Sequence, residues 1–298
     1  MKIAAISDIH ARKGGIDDKL IEAIHARVEE ISPDVFVIAG DLSEYIDEIS
    51  DLLSRLHISS AKNLYVAGNH DIWFEQDKNL SSLEKYSKLI GPACTENGFI
   101  HLPDTPFVAN NVAFVGSIGW SDYSFKRNDL EISDEVYETK QCGDAVWRDL
   151  YCIDWDFTDK EATDLFNGKL QHDLETLGPD VKSVVYVSHH LPFRELTLYK
   201  GYLPWDFFSA YMGARSTGDL LCEDSRVILT ISGHSHIRNK IQVNGITATT
   251  VPVGYGRPYG DLSEFVRQAV AEIEITEGAV EVIDFVEGDI CEGMPYSH

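Results

Sequence analysis

VFVIAGD, residues 35–41, is an apolar run that leads directly into Gly40-Asp41, and four other segments repeat this arrangement. The apolar runs are KIAAIS, VFVIA, NLYVA, SVVYVS and VILTIS. Runs of this kind, rich in β-branched residues, indicate strands of a sheet that is covered on both faces. The polar segments that follow the five runs are Asp8-Ile9-His10, Gly40-Asp41, Gly68-Asn69-His70-Asp71, His189-His190 and Gly233-His234-Ser235-His236.

These polar segments come at the C-terminal ends of predicted strands, which is where open α/β sheets bind their ligands. We therefore expect carboxylates, imidazoles and one carboxamide to meet at a common edge. Oxygen and nitrogen donors in this mixture suit two divalent transition-metal ions. Asp41 is the expected bridge between the ions, because one carboxylate can offer an oxygen to each.

The ordered set D-x-H, G-D, G-N-H-D, H-H and G-H-x-H, which spans residues 8–236, resembles the calcineurin-like metallophosphoesterase family. The resemblance implies an α/β fold: a four-layer α/β/β/α sandwich with two mixed central sheets flanked by helices. It implies two divalent metal ions (Mn, Fe, Zn, Co or Ni), the first held by Asp8, His10, Asp41 and His236. The second ion would be held by Asp41, Asn69, His189 and His234. The implied reaction is hydrolysis of a phosphomonoester or phosphodiester through a metal-bridging hydroxide.

Two positions next to the implied ligands are predicted to be catalytic. His70 directly follows Asn69, so its imidazole should point elsewhere and can serve as a general acid or a transition-state donor. Asp71 has two interpretations, which are not exclusive: it orients the His70 imidazole, or it caps a helix over residues 72–75. After Asp41, a helix is predicted over residues 45–56. We interpret the acids in and next to it, which include Glu44, as a solvent-exposed face.

The pair His189-His190 leaves a choice, because adjacent residues of an extended chain point to opposite sides and only one can face the metals. Resemblance to a family pattern His-His-x-Pro favours His189 as the ligand, and His190 is the alternative. His190 is also a candidate substrate contact. The other candidate substrate contacts are Arg194, Arg215 and Tyr255.

Two loops are candidates for substrate selection. Residues 117–158 mix aromatic and acidic residues without a regular period, and we predict a helical insertion that caps the site or forms a homo-oligomer interface. Residues 192–215 follow a site strand and combine aromatics with Arg194 and Arg215, a composition suited to an organic phosphate. The alternative for this second loop is packing against the insertion. The motifs otherwise predict a single domain over residues 1–298.

The amino-acid composition limits the substrates and partners to be expected. The chain has 25 Lys and Arg against 49 Asp and Glu, a formal charge of −24. Because nucleic-acid backbones are bound by basic surfaces, nucleic acid is an unlikely substrate and a small phosphorylated molecule or nucleotide is expected. Five cysteines without a C-x-x-C pattern predict reduced thiols. The chain shows neither a signal-peptide pattern nor an apolar run near the ~20 residues of a membrane helix, so a cytoplasmic protein without a membrane partner is expected.

Other functions remain open at this stage. A nuclease of the same superfamily would need a basic groove, which the negative charge disfavours. A catalytically silent binding scaffold would show a lost ligand or a lost His70, yet every position is filled. A protein phosphatase would need a peptide groove, for which the chain shows no signature. Helices are predicted over residues 17–31, 45–56, 79–90 (ended by Gly91-Pro92) and 159–177.

Overall fold

The computed structural model describes residues 1–12, 18–203, 205–254 and 261–289. Its strands are β1 (Lys2–Ile6), β2 (Val35–Ala39), β3 (Lys62–Val66), β4 (Phe99–His101), β5 (Phe107–Ala109), β6 (Val112–Ser117), β7 (Gln141–Cys142), β8 (Ala145–Val146), β9 (Ser183–Ser188), β10 (Val227–Ser232), β11 (Ile237–Arg238), β12 (Lys240–Val243), β13 (Ile246–Thr250), β14 (Ala271–Thr276), β15 (Ala279–Ile283) and β16 (Gly288–Asp289). The helices are α1 (Asp18–Ile31), α2 (Ile46–Leu56), α3 (Ser82–Glu84), α4 (Ile90–Glu96), α5 (Asp134–Glu138), α6 (Asp149–Cys152), α7 (Asp159–Thr176), α8 (Trp205–Phe208), α9 (Arg215–Glu223) and α10 (Leu262–Ala269).

Two six-stranded mixed sheets form the centre of the molecule. The first has the order β15-β14-β1-β2-β3-β4, and the second has the order β12-β13-β10-β9-β6-β5. Strands β1 to β4 run parallel to one another, as do β6, β9, β10 and β13, while the outer strands pair antiparallel. Because the five site strands lie within the parallel regions, their carboxyl ends are brought to one edge of each sheet.

Side-chain alternation along the strands builds the layers. Ile3 and Ala5 of β1 lie in an apolar core that also contains Val185 and Val187 of β9, so this core fills the space between the sheets. Ala4 and Ile6 point the other way, into a core shared with α1, α2 and α10. On the far side of the second sheet, Val184 and Tyr186 pack with residues of α7 and α9. The predicted α/β/β/α sandwich is confirmed.

Three of the four predicted helices have the expected bounds to within one residue, whereas the fourth continues beyond its predicted end. Thr158 accepts a hydrogen bond from the Glu161 N–H, and Glu161 accepts one from the Thr158 N–H, so a capping box begins α7 at the predicted start of this helix. The prediction that a helix ends at Gly91-Pro92 is wrong: helical structure continues through a π-helical turn, Lys85–Leu89, into α4. Pro92 lies in α4 directly after the π-helical turn, and because proline has no N–H it donates no backbone bond to that turn.

Residues 117–158 contain two short helices, α5 and α6, and the small β7-β8 hairpin. The segment is therefore only partly helical, and its role as an insertion that caps the site or forms an oligomer interface stays a prediction. The segment packs through Tyr123 and Tyr137 against Phe207 and Tyr211 of the 192–215 loop, in a buried aromatic cluster. Among the described helices there is none with the length and apolar character needed to cross a bilayer.

Candidate metal centre

The backbone turns sharply at the ends of the site strands. Asp8, His10, Asp41, His234 and His236 all have positive φ, at 57°, 50°, 57°, 70° and 56°. Such angles are uncommon for residues with a Cβ, and each is a strained conformation that the surrounding structure must maintain. Gly40 precedes Asp41 with a φ of 88°, and a Cβ there would lie 2.6 Å from the Gly68 backbone nitrogen. The sequence therefore needs glycine at this position.

These turns bring a first group of ligand atoms together. His10 Nε2 lies 2.9 Å from His236 Nε2, and His236 Nε2 lies 3.2 Å from Asp8 Oδ1. His10 Nε2 is also 3.5 Å from Asp41 Oδ2. Asp8, His10, Asp41 and His236 each offer one donor atom within 4.8 Å of the others, which is the arrangement of a metal site.

A second group shares Asp41 with the first. His189 Nε2 lies 3.1 Å from Asp41 Oδ2 and 3.2 Å from His234 Nδ1. The opposite nitrogens of both rings are engaged: His189 Nδ1–H donates to the Ala39 carbonyl at 2.9 Å, and His234 Nε2–H donates to the Tyr211 carbonyl at 3.2 Å. These bonds orient the rings, so that His189 Nε2 and His234 Nδ1 are the nitrogens that face the cluster shared with Asp41.

Asn69 supplies a test of whether these residues fit a metal. Its side chain is buried, and its Oδ1 has no hydrogen-bond partner, while its Nδ2 donates to Asp149 at 3.0 Å. Buried amide oxygens are almost always satisfied. A metal ion is a natural partner for an unsatisfied oxygen beside imidazoles and carboxylates, so the donor set fits the two ions implied by the sequence.

The charges of the two central carboxylates also fit a cation site. Burial alone would raise the pKa of Asp41, but the charges of His189, His70 and His10 hold its pKa well below the ordinary value. The pKa of Asp8 is likewise well below its ordinary value, because the influence of His236 and His10 outweighs burial. Both side chains are therefore carboxylates, which is the protonation state that binds a metal.

His70 lies beside this centre and interacts with four groups. Its backbone N–H donates to Asp41 Oδ1 at 2.9 Å. Its ring stacks on Trp73, with centroids 3.7 Å apart, and meets the edge of the His10 ring at 4.5 Å. Its Nδ1 lies 3.7 Å from Glu44 Oε1, and the pKa of Glu44 is lowered chiefly by its interaction with His70. Glu44 is thus part of the site and not only a solvated acid; its position three residues after Asp41, in the same strand-end loop, was the available signal.

Asp71 does neither of the things that the sequence indicated. It lies within the 3-10 turn His70–Ile72 and so does not cap a following helix. Its carboxylate accepts bonds from the backbone N–H groups of residues 41, 42, 43 and 68 and from the Tyr65 hydroxyl, all between 2.7 and 3.0 Å. Both oxygens are therefore occupied by donors other than the His70 imidazole. Asp71 holds the loop that carries Asp41.

His189 and His190 point to different sides of the chain. His189 faces Asp41, whereas the His190 ring packs 4.1 Å from His234 and 4.8 Å from Trp120, and its Nδ1–H donates to the Ile118 carbonyl at 3.2 Å. Burial lowers the pKa of His190 to about 3. His190 therefore supports a metal-facing ring and the insertion, as a neutral side chain.

The candidate cations of the 192–215 loop contact the insertion. Arg194 Nε donates to the Tyr199 hydroxyl at 2.8 Å, and its Nη2 donates to the Lys126 carbonyl at 3.3 Å. The backbone N–H of Arg215 donates to Ser124 Oγ at 2.8 Å. These contacts favour the alternative in which the loop packs on the insertion. Tyr255 lies outside the described residues.

Comparison with known proteins gives three findings. The family model for calcineurin-like phosphoesterases matches residues 1–238. The chain is 26% identical over 285 residues to the [Acyl-carrier-protein] phosphodiesterase PptH of Mycobacterium tuberculosis, a match covering 86% of this chain and 78% of that protein. The solved structure of that hydrolase superposes with a TM-score of 0.68 at 23% identity, covering 86% of this chain and 90% of the other. A dimetal phosphatase from Danio rerio superposes with a TM-score of 0.56 at 14% identity, covering 97% and 96%.

Proposed function

Because the chain belongs to the calcineurin-like phosphoesterase family, we propose that it is a two-metal hydrolase that cleaves a phosphodiester bond in a small phosphorylated molecule or nucleotide. The observation that carries the proposal is the pair of donor clusters sharing Asp41. The unsatisfied Asn69 Oδ1 adds to it, because Asn69 directly precedes His70, whose N–H donates to Asp41. The proposed ligands of the ions are Asp8, His10, Asp41 and His236 for one, and Asp41, Asn69, His189 and His234 for the other.

When bound, the two ions would supply Lewis acidity to the phosphate and lower the pKa of an attacking water. The chain's own contribution lies in His70, which stands at the edge of the first cluster and is partly exposed. His70 would donate a proton to the leaving oxygen, or a hydrogen bond to the charge developing on phosphate. The Trp73 stack and the Glu44 carboxylate would keep its ring in place for that step.

One observation supports a phosphodiester as the substrate, and a second opposes nucleic acid. The relative PptH carries the name of a phosphodiesterase that acts on an acyl carrier protein, so a phosphopantetheinyl diester is one substrate to test. The formal charge of −24 opposes binding to a long polyanion such as nucleic acid. Imidazole and oxygen donors favour Mn, Fe, Zn, Co or Ni over Mg or Ca.

The test is a substrate panel run on metal-free enzyme reloaded with one divalent ion at a time. The panel contains an aryl phosphomonoester, a bis-aryl phosphodiester, a cyclic nucleotide and a phosphopantetheinylated carrier protein, and metal content is measured on each sample. We expect metal-dependent turnover that is fastest on a diester, with two ions per chain. Asp41→Ala should abolish turnover, and full activity in that variant would refute the assignment. Faster turnover of the monoester than of every diester would refute the proposed substrate class.

A further inference from the structure

Asp149, in the 117–158 segment, is buried and lies against the proposed metal centre. Its Oδ1 accepts hydrogen bonds from Asn69 Nδ2 at 3.0 Å and from the Trp73 indole N–H at 2.7 Å. Its Oδ2 accepts a bond from the Trp147 indole N–H at 2.9 Å. One carboxylate from a segment that supplies no proposed ligand thus contacts a proposed ligand and the stacking partner of His70.

The chemistry of these partners determines which end of the Asn69 carboxamide faces Asp149. A carboxamide has a donating end and an accepting end, and the two are nearly identical in size. An ionised carboxylate only accepts, so the NH₂ group of Asn69 must face Asp149 and its Oδ1 must face away. Oδ1, the atom proposed to bind a metal, is the atom without a hydrogen-bond partner.

We propose that Asp149 is a positioning residue that fixes the orientation of the Asn69 carboxamide, so that Oδ1 and not the NH₂ group is presented to the metal. The proposal rests on the two-metal function described above. Through Trp73, which stacks on His70, the same carboxylate also supports the proposed proton donor. The 117–158 segment therefore completes the interior of the site in addition to whatever it contributes at the surface.

The test begins with Asp149→Leu, a near-isosteric change that removes the acceptor of Asn69 Nδ2. Without that acceptor the Asn69 carboxamide is free to turn over, so its Oδ1 is no longer directed to the metal. We expect the dissociation constant of one of the two ions, measured by titrating Mn²⁺ or Zn²⁺ into metal-free protein, to rise by about 10–100-fold. The other ion should bind as in the wild type.

The swapped pair, Asn69→Asp with Asp149→Asn, tests orientation directly. The carboxylate now at position 69 accepts on both sides, so it can take the NH₂ group at position 149 and still offer oxygen to the metal. We expect two-ion binding to return, whereas Asn69→Asp alone, which buries two carboxylates face to face, should be poorly folded. If Asp149→Leu does not fold, recovery of folding and two-ion binding in the swapped pair is the deciding result, and its absence overturns the proposal.

Asp159→Leu is the matched control. Asp159 is also buried, and it accepts bonds from the Trp120 indole N–H at 2.7 Å and the Tyr123 hydroxyl at 2.6 Å, neither of which is a proposed ligand. Its loss should lower the thermal midpoint without changing metal affinity. If Asp149→Leu leaves both dissociation constants unchanged while the wild type binds two ions, the positioning role is wrong and the proposed function stands. If the wild type does not bind two ions, both are wrong.

Discussion

Asp71→Asn should destabilise the protein much more than an isosteric change normally does. Asp71 Oδ2 accepts bonds from the Asp41 and Gly68 N–H groups and the Tyr65 hydroxyl, and Oδ1 accepts from the Leu42 and Ser43 N–H groups. A carboxamide has one accepting oxygen, so its NH₂ group must face donors whichever way it turns. Its better orientation keeps the three bonds on one side and loses the two on the other.

The magnitude follows from those two lost bonds. The N–H groups of Leu42 and Ser43 become buried donors that face another donor, and each unsatisfied buried donor costs about 1–3 kcal/mol. We therefore expect the free energy of unfolding to fall by about 2–6 kcal/mol. Because the same loop carries Asp41, the variant should also bind metal more weakly.

Urea unfolding of metal-free protein measures the first effect without interference from metal binding. The control is Asp224→Asn, which makes the same chemical change at a partly exposed pair with Arg226 and should cost about 0–1 kcal/mol. A loss in Asp71→Asn no greater than in the control would refute the argument. Unchanged stability with slow turnover would instead revive the reading in which Asp71 orients His70.

Three further results are expected. His70→Ala should keep both metals and lower turnover by about 10²–10⁴-fold, and Glu44→Gln should lower it by less; metal loss in His70→Ala would contradict the proton-donor role. Lys85→Met should cost about 3–5 kcal/mol in denaturant unfolding, because buried Lys85 pairs with buried Glu75 at 3.3 Å and donates to the Trp73 carbonyl; wild-type stability would contradict this. Removing metal with a chelator should lower the thermal midpoint, since each ion at 100 times its dissociation constant adds about 2.7 kcal/mol, and an unchanged midpoint after reloading would argue against a metal centre.

The strands could be predicted from sequence because a strand that is buried on both faces consists of consecutive apolar residues. VFVIA and SVVYVS occupy β2 and β9 almost residue for residue, since a strand buried on both faces needs an unbroken apolar run. The final hairpin turns at Glu277-Gly278, where both φ angles are positive, a turn that the glycine favours. Helix α10 is not among the helices predicted from the sequence, although Phe265, Val266 and Ala269 form a helical apolar face.

The hydrogen bonds that hold the site residues in place could not be predicted from sequence in the same way. Asp149 lies 80 residues from Asn69 along the chain, in a segment without periodicity, so no local pattern links the two residues. Asp71 was assigned to its own neighbourhood because helix caps and histidine partners are local features, yet three of its five bonds go to residues 41–43. Residue type predicts a ligand well when its chemistry is specialised, whereas an aspartate can accept from any donor that the fold brings near it.

The backbone of the site is strained at five of the proposed ligands. Non-glycine residues in the left-handed region cost of order 1–3 kcal/mol each, and Asp8, His10, Asp41, His234 and His236 all occupy it. Bonds from residues outside the proposed ligand set oppose that cost: Asp71 binds the backbone around Asp41. The proposed ligand Asp8 itself accepts the His234 N–H at 3.0 Å, which ties the two sheets together at the site. The geometry of the proposed ligands is therefore imposed in part by these hydrogen bonds. Loss of such a bond should weaken metal binding even where no proposed ligand has been changed.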